Sequence, residues 1–154
     1  MNRRLFLIPF ATVLMGFALS GAHAQHVGKH VISSPDAPEA IGPYSQAIKS
    51  GKTVYLSGQI AIDPNTKQLL ANASIEDQTR LVLENLKAVL AADGLTLDSI
   101  VSAAVFLTDL TDFAKMNEVY ATYFKQAPPA RATVEVAHLP RSAKVEISAI
   151  AVHP

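Results

Sequence analysis

Two runs of alternating polar and apolar residues near the C-terminus constrain this chain more than any other feature. The first is Pro128-Pro129-Ala130-Arg131-Ala132-Thr133-Val134-Glu135-Val136. The second is Lys144-Val145-Glu146-Ile147-Ser148-Ala149-Ile150-Ala151-Val152. Alternation of this kind has the period of a half-buried strand. The link from Ala137 to Ala143 holds Pro140 and Ser142 and has the length of a hairpin loop. The two runs are therefore expected to pair as an antiparallel hairpin. Alternation puts Arg131, Thr133 and Glu135 on one face, with Val134 and Val136 on the other. On the return run Lys144, Glu146 and Ser148 oppose Val145, Ile147 and Ala149. Registering apolar against apolar brings Arg131 and Glu146 to the same face, directly opposite or one diagonal step apart. An arginine and a carboxylate on the sheet face away from the helices would suit a small carboxylate-bearing substrate. A guanidinium turned into the helix layer would contradict that expectation.

The rest of the chain supplies a sheet and two helices. His30 to Ser33 is short and suits an edge strand. Ser34 to Ala40 is a proline-punctuated loop, and Gly42-Pro43 sets a turn before a strand beginning at Tyr44. Lys49-Ser50-Gly51-Lys52 marks a hairpin turn. Thr53 to Ile60 is rich in strand-forming residues, and Gly58 inside it points to a bulge or the close approach of a ligand or another backbone. Ser74 caps a first helix, with Asp77 in the place where a capping box has Glu or Gln. Leu81, Leu83, Leu86, Val89 and Leu90 form its apolar stripe, and Gly94 ends it as a C′ glycine. Val101 to Leu107 is apolar at alternate and intervening positions, as a central strand would be. Phe113 to Phe124 is a second helix with Phe113, Met116, Tyr120 and Phe124 on one side. The order β-β-β-α-β-α-β-β predicts an α+β domain: a two-layer mixed sheet of about six strands with two helices on one face. A central strand apolar on both faces implies that the second face is covered too, by another subunit.

The N-terminus is expected to be removed. Arg3 and Arg4 precede an apolar run from Leu5 to Leu19, and Ala22-His23-Ala24 is an A-x-A cleavage site. This is the layout of a signal peptide over residues 1–24, leaving a mature domain over 25–154 in the periplasm or outside the cell. The apolar run is shorter than the ~20 residues of a bilayer-spanning helix, and Pro9 interrupts it. Asn2-Arg3-Arg4-Leu5-Phe6-Leu7 also looks like a twin-arginine motif, so the general secretory and folded-export routes both stand. Loss of Arg3 and Arg4 takes 13 basic residues to 11 against 13 acidic ones, a net charge of −2. No basic cluster marks nucleic-acid binding, and nothing after Ala24 is long enough for a membrane. The absence of cysteine excludes disulfides and thiol catalysis. His23, His26, His30, His138 and His153 are scattered without ligand spacing, so no metal is expected.

Pro129-Ala130-Arg131-Ala132-Thr133-Val134, followed by Val145-Glu146-Ile147, resembles the signature of the Rid family, the YjgF-type reactive-intermediate imine deaminases. Three further segments resemble family motifs in the same order: Ile41-Gly42-Pro43-Tyr44-Ser45-Gln46, Ser57-Gly58-Gln59 and Met116-Asn117-Glu118-Val119-Tyr120. The resemblance runs from about Ser33 to Val152. It implies a chorismate-mutase-like α+β fold and a homotrimer with clefts between subunits. It also implies cofactor-free hydrolysis of 2-enamine/2-imine acids, such as 2-aminoacrylate, 2-iminopropanoate or 2-iminobutanoate, to 2-keto acids and ammonia. By the same resemblance Arg131 grips the substrate carboxylate and Glu146 orients or activates the attacking water. Tyr44, Ser57, Gly58, Asn117 and Thr133 fall at pocket positions.

Each of these residues has a plainer reading. Arg131 could pair with Glu146 or Glu135, Glu146 could be an interface ion-pair partner, Tyr44 could be packing, and Asn117 could face solvent. Thr133 stands where many deaminases of the family carry cysteine, which puts thiol-based regulation in doubt. Export is the second departure, because the enzymes that release aminoacrylate are mostly cytoplasmic. A holdase chaperone and a small-carboxylate binding protein of the same fold are the competing functions.

Overall fold

The structure is a computed structural model and describes residues 28–154. The signal segment expected over residues 1–24 lies outside the described residues. The elements follow in the order β1 (Lys29–Ile32), β2 (Ala47–Ser50), β3 (Thr53–Gln59), α1 (Ile75–Ala91), β4 (Ile100–Leu107), α2 (Phe113–Tyr123), β5 (Ala130–Glu135) and β6 (Val145–Val152). All six strands join one mixed sheet in the order β1-β2-β3-β6-β4-β5. β1 is the expected edge strand. β2 and β3 form the expected hairpin across Gly51-Lys52, with Ser50 opposite Thr53 and Gly51 at φ 60°.

The C-terminal hairpin is not formed. β4 lies between β5 and β6, parallel to the first and antiparallel to the second. The segment joining β5 to β6 passes over the end of β4 instead of turning back on itself. α2 provides the crossover that a parallel β4–β5 pair needs. Alternation reports that a strand has two unlike faces and says nothing of which strand lies beside it.

α1 starts as expected. Ser74 Oγ accepts from the Asp77 backbone N–H at 3.1 Å. The helix ends at C-cap Ala92, and Gly94 two residues on takes φ 72°. Val82, Leu83, Leu86 and Leu90 of α1 pack with Met116 and Tyr120 of α2 against Val54, Leu56, Val105, Leu107, Val145 and Ile147 of the sheet. Truncating a fully buried leucine such as Leu86 in this layer costs about 2–5 kcal/mol. The opposite sheet face carries Tyr55, Ser102, Ala104, Ser148 and Ile150 around a shallow groove of about 170 Å³, with Tyr55 50% exposed.

Buried amides tie the loops to this frame. Gln46 Oε1 accepts from Ser34 N–H at 2.6 Å, and Gln46 Nε2 donates to the carbonyls of Ser34 at 3.1 Å and Pro38 at 2.7 Å. Asn85 Nδ2 reaches the Ile60 and Ile62 carbonyls in the same manner. Gln46→Leu leaves several of these backbone groups without partners. It should lower stability by about 2–4 kcal/mol, since each buried unpaired group costs about 1–3 kcal/mol. A fall in the urea midpoint at unchanged slope would register the loss.

Candidate active site

The site begins with the irregularity at Gly58. The β3–β6 register shifts between Leu56 and Gln59, so the strand bulges at Ser57-Gly58, as a glycine there suggested. The close neighbour is the Glu146 carboxylate of β6, rather than a ligand or a backbone. A Cβ on Gly58 would overlap Glu146 Oε1 and come within 2.7 Å of Cδ and 2.9 Å of Cγ. The missing side chain thus makes the seat in which Glu146 lies. Around it is an open cavity of about 320 Å³ lined by Ile41, Tyr44, Ser57, Gly58, Ile60, Pro140 and Glu146. Desolvation by these walls raises the Glu146 pKa above its ordinary value of 4.5.

Tyr44 and Ser57 stand in this cavity with part of their hydrogen bonding already committed. Tyr44 is 46% exposed, and its hydroxyl oxygen accepts from Ile41 N–H at 3.2 Å. Its phenolic proton is still available to a ligand. Ser57 Oγ donates to the Ser45 carbonyl at 2.7 Å, so it faces a ligand as an acceptor only. Ile41, Ile60 and Pro140 complete the wall. Ile41 opens one of the motif segments, yet none of the three was singled out as a site residue, because an apolar lining residue looks like a core residue.

Arg131 lies elsewhere, and this corrects the single-face arrangement. It sits beside Ala103 in the β4–β5 register, whereas Glu146 sits beside Phe106 in the β4–β6 register. Ala103 faces the helices with Val105 and Leu107, and Phe106 faces the other way. Arg131 and Glu146 therefore occupy opposite faces of one sheet. The guanidinium is half-buried at the edge of the helix layer, where Nη2 donates to Asn117 Oδ1 at 2.8 Å. Its Cζ lies 4.4 Å from the centroid of the Tyr120 ring and 5.9 Å from that of Phe113. Neither of the plainer ion pairs is formed: Glu135 Oε2 accepts from Leu110 N–H at 2.8 Å instead, and Glu146 is across the sheet. Asn117 is half-buried and turns its amide oxygen to Arg131. Thr133, beside Val105 on the helix side, buries Oγ1 without a hydrogen-bond partner.

The described residues thus hold, in two separate places, a carboxylate in an apolar cavity and a guanidinium over an aromatic ring at a sheet edge. Residues 34–153 match the Endoribonuclease L-PSP family. The chain is 46% identical over 124 residues to the 2-iminobutanoate/2-iminopropanoate deaminase of Mus musculus, covering 80% of this chain and 91% of the relative. A solved Rid family protein of Yersinia pestis has a TM-score of 0.79 at 50% identity, covering 82% of this chain and 100% of that one. Escherichia coli TdcF with bound serine gives 0.78 at 45% identity, covering 81% and 99%. The four motifs, the six-stranded sheet with its two helices, and these matches agree: the chain is a member of the Rid family, within the broader Endoribonuclease L-PSP family.

Proposed function

We infer that this chain hydrolyses reactive 2-enamine and 2-imine acids to 2-keto acids and ammonia. The supporting observation is its 46% identity to the mouse 2-iminobutanoate/2-iminopropanoate deaminase over nearly the whole relative, with the carboxylate and the guanidinium both among the motif residues. Arg131 holds the substrate carboxylate through parallel charge-assisted hydrogen bonds. Glu146 accepts a proton from water as its oxygen attacks C2 of the imine. Delivery of that proton to the imine nitrogen gives the neutral carbinolamine; Glu146 then relays the carbinol O–H proton to the amino nitrogen, the oxygen electron pair closes the keto C=O, and the C–N bond breaks to release ammonia. A carboxylate raised by desolvation is better matched to such proton exchange than an ordinary surface glutamate. The remaining help is positional, since free imines already hydrolyse in water.

One copy of the chain cannot bring Arg131 to Glu146. The reading therefore places Arg131 and Asn117 of one protomer against Tyr44, Ser57 and Glu146 of its neighbour, in a homotrimer. The same assembly would cover the face around Tyr55 and Ile150. Read as a signal segment, residues 1–24 would send the mature protein to the periplasm or outside the cell, which fractionation of the host tests directly. RNA cleavage, which the name of the Endoribonuclease L-PSP family suggests, would need a cluster of basic residues to hold a phosphate backbone, and the sequence of the described residues has no run of them.

The activity test is a coupled assay. An amino-acid oxidase generates 2-iminopropanoate from alanine in the presence of semicarbazide. The purified protein should suppress semicarbazone formation at catalytic concentrations. Undiminished semicarbazone, with a client protein still protected from aggregation, would favour the chaperone reading.

A further inference from the structure

We propose that Tyr120 is a positioning residue for Arg131, and that it acts through the face of its ring rather than through its hydroxyl. The proposal rests on the reading of Arg131 as the carboxylate anchor. An arginine at a sheet edge has a long flexible stem, and its guanidinium must be held in one plane before it can meet a carboxylate with two parallel bonds. Asn117 Oδ1 fixes one corner, at 2.8 Å from Nη2. The Tyr120 ring lies beneath the guanidinium at 4.4 Å from centroid to Cζ, well inside the range of a cation–π contact. Asn117 and Tyr120 are three residues apart on α2, so one helix face supplies both supports.

Tyr120 is itself immobilised. It is 5% exposed, and its ring stacks on Phe124 with centroids 4.4 Å apart and planes 27° apart. Its hydroxyl is buried, which raises its pKa, and the nearby Arg131 charge offsets part of that rise without an aligned hydrogen bond joining the two. A hydroxyl that makes no aligned hydrogen bond to the guanidinium does not fix its orientation. The ring can restrain it, because a guanidinium carbon held 4.4 Å over the ring centroid loses freedom to swing, while the N–H groups not given to Asn117 remain available. Stacking from below also leaves the charge unneutralised, whereas an acidic partner would compete with the substrate for it.

A purely structural role for Tyr120 predicts different kinetics. The test uses the full chain in the coupled imine assay, with pyruvate as a competing carboxylate. Tyr120→Leu is expected to raise KM for 2-iminopropanoate about tenfold, the scale of a desolvated cation–π contact. Inhibition by pyruvate should weaken in parallel, and kcat should change much less. Tyr120→Phe should restore KM, because it keeps the ring. In an Arg131→Lys background, which keeps the charge and loses the planar stack, Tyr120→Leu should add little to the loss already present. Tyr120→Met provides a flexible apolar filler of similar reach if the leucine variant does not fold.

Equal damage from Tyr120→Phe and Tyr120→Leu would overturn the proposal, as would full additivity in the Arg131→Lys background. An unchanged KM in folded Tyr120→Leu and Tyr120→Met, with Arg131→Ala inactive, would overturn it while leaving Arg131 as the anchor. An unchanged KM in Arg131→Ala would remove the anchor itself, and the proposal with it.

Discussion

Protomers carrying Arg131→Ala and protomers carrying Glu146→Gln, each inactive alone, should together recover about one quarter of wild-type turnover, taken over the whole population, when co-expressed in equal amounts. The expectation follows from the two residues lying on opposite faces of one sheet. If each crevice takes Arg131 from one copy and Glu146 from the next, an intact crevice needs the right neighbour on each side. Random neighbours provide that about one time in four. Each single variant should lose heavily. Arg131→Ala removes charge-assisted bonds of roughly 1.5–3 kcal/mol apiece, which corresponds to about 10²–10⁴ in kcat/KM. Hybrids carrying two different affinity tags can be purified through both; each mixed trimer keeps about one intact crevice in three, so these should reach about one third of wild-type turnover. Doubly tagged oligomers without recovered activity would sink the shared site, whatever the fate of the single variants.

The pairing error and the site error have one physical origin. Arg131, Thr133 and Glu135 do share a face, as their alternation requires, and that part was legible in the sequence. The inference that this polar face must look away from the helices was not sound. β5 is an edge strand, and α2 covers its helix-side face only in part, so a polar residue there still reaches solvent. The segment between Val136 and Lys144 is long enough either for a hairpin or for passage over β4. Nothing local distinguishes the two. The stretch β4–α2–β5, a strand followed by a helix and a second strand, carried the better clue, because a helical crossover favours parallel pairing. Local signals fared well by contrast. The Ser74 cap, the Gly51-Lys52 turn and the Gly58 irregularity each depend on a few adjacent residues. The role of Gln46 was hidden because its partners, Ser34 and Pro38, lie well back along the chain. Tyr120 was legible only as one of the apolar positions on its helix, since nothing in an apolar stripe tells which ring will lie under a charge.

Gly58→Ala should cost about 10² or more in kcat/KM, the scale of general acid–base assistance, while the protein stays folded. Gly58 does not occupy a left-handed conformation, so alanine is not excluded by its backbone. What the new Cβ would meet is the end of a flexible side chain, the Glu146 carboxylate and its Cγ. Glu146 can swing away, and the strand need not move. The carboxylate then leaves the walls that desolvate it, and its pKa should return toward the ordinary value. The pH profile carries the second half of the prediction. Glu146 must be ionised to accept a proton from water, so wild-type kcat/KM should rise with pH through the raised pKa. In Gly58→Ala that acid limb should move to lower pH as the overall rate falls. Stability should run in the opposite sense. The fold favours the protonated carboxyl, so its contribution is fully present below the unfolded-state pKa and is lost as pH rises through the folded-state value. Glu146→Gln, which cannot ionise, should therefore melt above wild type at neutral pH and match it in acid, although its turnover is lost. A Gly58→Ala protein with wild-type rate and an unshifted acid limb would mean that the seat beneath Glu146 has no part in the chemistry.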